Sequence, residues 1–94
     1  MLTVTIPALN RLSRKLIHKQ ADDDMALRVT RREGGWTLRL DHESAGDTTF
    51  THDGRRVLLL DTAVSQAMSD MKLGTKRNGR RSRLRLCRNQ APKD

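Results

Sequence analysis

Asp53-Gly54-Arg55-Arg56-Val57-Leu58-Leu59-Leu60-Asp61 organises the chain. Asp-Gly tolerates the positive φ that a tight hairpin turn demands, so it predicts a strand on either side. The unbroken apolar run Val57 to Leu60 suits a central strand covered on both faces. Upstream, Thr48-Thr49-Phe50-Thr51 is β-branched enough to form another short strand before the turn. Downstream, Asp61 or Thr62 offers a side-chain oxygen to cap a helix. Ala63, Val64, Ala67, Met68 and Met71 then share a face, and the helix is expected to end around Leu73-Gly74.

Working back from this stretch, the period before it is two. Leu27 and Val29 alternate with Arg28 and Thr30, and after Glu33-Gly34-Gly35 the pattern returns as Trp36, Leu38 and Leu40 against Thr37, Arg39 and Asp41. That is a hairpin with a glycine turn, followed by a polar loop from His42 to Asp47. Asp22-Asp23-Asp24 breaks the pattern further upstream and makes a loop. Without a spaced glycine and a distal Glu, it lacks the layout of a calcium loop. Before it, Thr5 and Pro7 mark a helix start, and the helix is expected to run to about Lys19. Ile6, Leu9, Leu12 and Leu16 form its apolar stripe, while Arg11, Arg14, Lys15 and His18 are directed elsewhere.

Beyond the second helix, Asn78-Gly79 is another turn, leading into the strict alternation of Arg81-Ser82-Arg83-Leu84-Arg85-Leu86-Cys87. The element order is strand, helix, a run of about four strands, helix, then one or two strands. This is an α+β plan with two helices on a mainly antiparallel sheet. Residues 1–88 are expected to form a single domain, and residues 89–94, which include Pro92, a disordered tail.

Composition narrows the chemistry. The 94 residues offer one Trp, one Phe and no Tyr, so the core must be aliphatic. A single cysteine, Cys87, forms no intrachain disulfide, which points to a reducing compartment and the cytoplasm. No apolar stretch approaches the ~20 residues of a membrane span, and the first residues have no leader pattern, so no membrane partner is expected. The three histidines, His18, His42 and His52, stand near no recognisable nucleophile motif. Gly34-Gly35 lacks a phosphate-loop spacing, and one Cys with scattered His gives no zinc set. The chain is not expected to be an enzyme.

Nineteen Lys and Arg against eleven Asp and Glu give a formal net charge of +8, which favours anionic partners: nucleic acid, acidic proteins and anionic lipid headgroups all qualify. The densest cationic feature is Lys72, Lys76, Arg77, Arg80, Arg81, Arg83, Arg85 and Arg88. It is a plausible phosphate-contacting surface, although no interleaved aromatics offer stacking. The same charges also serve to keep an edge strand from aggregating.

Ala26-Leu27-Arg28-Val29, Asp47-Thr48-Thr49-Phe50, Asp53 to Asp61 and Leu73-Gly74-Thr75 together resemble the HesB/IscA-like family, the A-type carriers of iron-sulfur cluster assembly. The similarity runs from about Leu2 to Arg88 and implies a compact β-rich fold with two helices. The family's carriers hold iron or a cluster through one cysteine in a loop after the strand matching Leu27 to Thr30, plus a Cys-Gly-Cys pair near the C-terminus. Here Gly34-Gly35-Trp36 holds the first place, and residues 89–94 contain no cysteine. Cys87 precedes the place of the pair and is the sole candidate metal ligand, whereas a cluster takes about four thiolates.

The resemblance implies an iron-sulfur accessory or binding protein without a cofactor of its own, with iron-sulfur assembly proteins as partners. The alternatives are a basic module binding nucleic acid non-specifically, and a carrier in which Cys87 from several subunits shares iron or a cluster. The oligomeric state is left open.

Overall fold

The turn at Asp53-Gly54 forms as its sequence dictates, with φ of +53° and +77° at the two residues and His52 opposite Arg55. A computed structural model describes residues 1–88, and the tail expected at 89–94 lies outside the described residues. In chain order these form β1 (Thr3–Val4), α1 (Ile6–His18), β2 (Met25–Arg32), β3 (Gly35–His42), β4 (Thr48–His52), β5 (Arg55–Leu60), α2 (Thr62–Ala67), β6 (Met71–Asn78) and β7 (Arg81–Arg88). The order expected from the sequence is the order found, an α+β fold with two helices.

Val57 to Leu60 are wholly buried because β5 lies inside a four-stranded sheet ordered β3-β2-β5-β4. This sheet is built from two hairpins, β2-β3 and β4-β5, joined by a parallel pairing of Leu27 with Leu58 and Arg28 with Leu59. The second sheet is three-stranded, ordered β1-β6-β7, with β1 parallel to β6 and β6 antiparallel to β7 along its whole length. The strands thus divide between two sheets, a split that alternation along the sequence does not specify. Each hairpin remains antiparallel, and the aliphatic core expected from composition joins Leu12 and Leu16 of α1 to Leu27, Leu58, Leu60 and Leu73.

Helix α1 is capped as expected: the Thr5 hydroxyl accepts from the Ala8 N–H at 3.2 Å. Its inward stripe is Ala8, Leu12 and Leu16, with Leu9 partly covered. Ile6, expected on that stripe, is 69% exposed. The Thr5 N–H donates to the Leu73 carbonyl at 3.0 Å, which fixes where the helix leaves the sheet, and the small side chain of Ala8 is the one turned inward.

Helix α2 also departs from expectation. Asp61 caps it by accepting from Val64 N–H at 2.8 Å, but it ends at Ala67, and Met68 closes it while packing in the core. Met71, Leu73 and Gly74 belong to β6. The helix buries no residue of its own, whereas an extended Met71–Asn78 gains a full ladder with β7 and a parallel partner in β1. Tertiary pairing outweighs the helical spacing of the methionines.

Candidate functional site

The ribbon β6-β7 carries the residues singled out by charge. Residues directly opposed in an antiparallel pair project to the same side. The register sets Lys72 opposite Cys87, Gly74 opposite Arg85, Lys76 opposite Arg83 and Asn78 opposite Arg81. One face therefore gathers Lys72, Lys76, Arg81, Arg83, Arg85 and Cys87. The other face bears Leu73, Leu84 and Leu86, which pack toward the core. Arg77, opposite Ser82, and Arg88, opposite Met71, fall on this second face at the two ends of the ribbon. Arg80 sits with Gly79 in the turn, where Gly79 has φ of +65°. β7 is an edge strand, so its charges do stand at an unpaired sheet margin.

Cys87 is half-buried, and its thiol lies 3.7 Å from the Lys72 carbonyl oxygen, to which it donates. Its directly opposed cross-strand neighbour on that face is a lysine. Among the described residues, no group of three or more His, Cys, Asp or Glu side chains is placed to hold a metal ion. Asp24 stands 3.4 Å from His42 at the end of β3, and His52 at the end of β4 meets the Asn10 side chain at 2.7 Å. His42 and His52 thus close strands rather than lie in loops, and His18 is the last residue of α1.

A polar cluster not apparent from spacing joins β2, β3 and the loop before β4. Arg28 of β2 donates from Nε to Asp41 of β3 at 2.6 Å and from its two terminal nitrogens to the Asp47 carboxylate at 3.1 and 2.6 Å. Its hydrogen bonding to Asp47 pushes the Arg28 pKa up against the cost of burial. In return the Arg28 guanidinium holds both carboxyls below the usual carboxylate value. Asp47 also accepts from Ser44 N–H at 2.8 Å, which folds the loop ahead of β4. The available signal was Arg28 on the polar side of an alternating strand, together with an acidic residue just before Thr48-Thr49-Phe50.

Two solved structures share this arrangement of elements. Escherichia coli SufA, involved in biosynthesis of iron-sulfur clusters, aligns with a TM-score of 0.62 and 25% identity over 96% of this chain and 87% of its own. IscA with a 2Fe-2S cluster aligns with the same TM-score of 0.62 and 15% identity, over 94% of this chain and 85% of its own. The chain has a HesB/IscA-like fold. No protein-family model matches the sequence, and a search of curated proteins returns no match. This HesB/IscA-like chain carries one cysteine in its whole sequence.

An iron-sulfur cluster does not fit the thiol content of the chain. Cys87 alone supplies one of about four thiolates such a cluster takes. At the β2-β3 turn, where the resemblance puts the family's first cysteine, Gly34 has φ of +82° and Trp36 follows in β3. Among the described residues, no helix is long and apolar enough to cross a membrane.

Proposed function

We propose that this HesB/IscA-like chain is a non-catalytic accessory or binding protein of iron-sulfur cluster biogenesis that carries no cluster of its own. The observation that carries the reading is a fold shared with SufA over nearly the whole chain, combined with a thiol set reduced to Cys87. Its partners are then iron-sulfur assembly proteins, met through surface rather than through metal. Residues 1–88 act as one domain in this reading.

Anaerobic reconstitution with iron and sulfide, on wild type beside Cys87→Ser, tests it. The expected result is no stoichiometric chromophore surviving gel filtration in either protein. A stoichiometric chromophore present in wild type and lost in the variant would overturn the reading. It would favour the carrier in which subunits share a site through Cys87, whose thiol lies on the accessible cationic face.

A second reading rests on a separate observation. Lys72, Lys76, Arg81, Arg83 and Arg85 share one face, and none has an acidic partner within salt-bridge distance among the described residues. Such a surface would bind nucleic acid through phosphates alone, without sequence preference and with steep salt dependence. Oligonucleotide binding titrated against salt checks it, and sequence-specific binding that persists at high salt would be incompatible with it.

A further inference from the structure

The two sheets leave an open groove of about 540 Å³ between them. One wall is Leu27 and Val29 of β2 with Trp36 and Leu38 of β3, and the other is Leu84 and Leu86 of β7. Its mouth is formed by Arg11, Lys15 and Lys19 along α1 and by Arg83 from β7, and among the described residues no acidic side chain lines it. A second recess of about 450 Å³ adjoins it, lined by Arg11, Arg14, Lys15, His18 and Lys19, so three cations are common to both. The molecule therefore has an apolar slot opening onto a purely basic recess.

Arg11 supplies a separate indication. Its Nε is buried and has no hydrogen-bond partner. A buried donor without an acceptor costs free energy, and Arg11 lines both the slot and the recess. An oxyanion among Arg11, Lys15 and Lys19, which line both spaces, would meet charge-assisted donors. The volume lies within the ordinary range of small-ligand pockets, roughly 300–1,000 Å³. With Trp36 as the single aromatic lining it, the groove is poorly suited to stacked bases.

We propose that this groove binds a single-chain anionic amphiphile, a fatty acid, with its tail between the sheets and its carboxylate among Arg11, Lys15 and Lys19. Apolar burial holds the tail, and the unopposed cations select the sign of the head. This site is independent of the iron-sulfur reading, and Arg83 alone is common to it and the cationic face that bears Cys87.

Trp36 is the only tryptophan and stands in the groove wall, so its emission reports occupancy directly. The full chain is titrated with decanoate below its micelle concentration, with decyltrimethylammonium as a tail of opposite head charge and acetate as a head without a tail. The expected result is a saturable blue shift with decanoate at one molecule per chain and none with the other two. The Arg11→Gln/Lys15→Gln variant should bind about tenfold more weakly. Circular dichroism checks its fold, and Arg83→Gln, at an exposed edge position, probes the mouth from the opposite side. No response to decanoate, or an equal response to the cationic amphiphile, overturns the proposal. So does decanoate affinity unchanged in both variants, or saturable binding of an acidic peptide where decanoate gives none.

Discussion

Arg28 and Asp47, nineteen residues apart, face each other as a two-pronged pair: both terminal nitrogens of the guanidinium reach both oxygens of the carboxylate. The Arg28 and Asp47 side chains are 11% and 3% exposed, so water does little to screen them. The pair ties β2 to the loop that delivers β4, and Asp41 adds a third anchor from β3. Truncating one member leaves the other charge largely buried, which generally costs about 3–5 kcal/mol. Asp47→Ala is therefore expected to lower unfolding free energy by about 3 kcal/mol, since Arg28 keeps Asp41. Urea denaturation followed by circular dichroism measures this, and a loss no larger than that of an exposed Asp23→Ala control would refute the clamp.

The same pair makes stability depend on acid. Arg28 holds the Asp41 and Asp47 carboxyls below their ordinary 3.8, first through its hydrogen bonds to them. A depressed folded pKa contributes stability fully above the unfolded value and loses it as pH falls through the folded one. Unfolding free energy should thus hold steady with respect to these groups above 3.8 and decline below it. Urea midpoints taken across this range should fall more steeply for wild type than for Arg28→Met.

Leu59 carries a different kind of load. It lies in the central strand β5 with no exposed surface, whereas Ile17 on α1 is 67% exposed. Leu59→Ala is expected to cost about 2–5 kcal/mol through lost burial and the cavity left behind. Ile17→Ala should stay within about 0.5 kcal/mol. Chemical denaturation of the two variants side by side tests whether the four-stranded sheet is the stability centre.

Much of this was legible because the decisive signals are local. Asp53-Gly54 sets its turn through φ alone, Thr5 and Asp61 cap helices within three residues, and Val57 to Leu60 announce their own burial. What escaped depended on distant pairing. Met68 and Met71 have helical spacing, but β1 and β7 claim Met71–Asn78 as a strand. Ile6 belongs by periodicity to the buried stripe of α1, yet the bond from Thr5 to Leu73 fixes a helix entry that leaves it in solvent. Arg28 looked like one charge of an alternating strand, since its partners lie thirteen and nineteen residues away. The cationic face was legible from alternation, because Arg81, Arg83, Arg85 and Cys87 need only a pleat to align.

Folding should not require metal. The buried cluster is apolar throughout, and no metal-holding group of side chains occurs among the described residues. Circular dichroism and the thermal midpoint are expected to be unchanged after exhaustive chelation. Loss of the folded signal on chelation would mean that Cys87 takes part in a structural site.

Lys76 and Arg83 are directly opposed on the exposed face of the β6-β7 ribbon, two like charges in one cross-strand pair. Such a pair is destabilising, and reversing one member replaces repulsion with attraction worth about 0.2–1 kcal/mol. Lys76→Glu is therefore expected to raise stability by that small amount, measured by urea midpoint. If the face binds polyanions, the same change leaves one phosphate without its cation. Oligonucleotide affinity then falls, and the slope of log affinity against log salt shrinks by about 0.9 for each phosphate no longer neutralised. The two readouts separate the roles of the charge. Higher stability with weaker, less salt-dependent binding supports a phosphate-binding surface whose repulsion is retained for its ligand. Higher stability with binding untouched, or with none in either protein, leaves the charges as guards of the β7 edge, and lower stability would contradict the observed register.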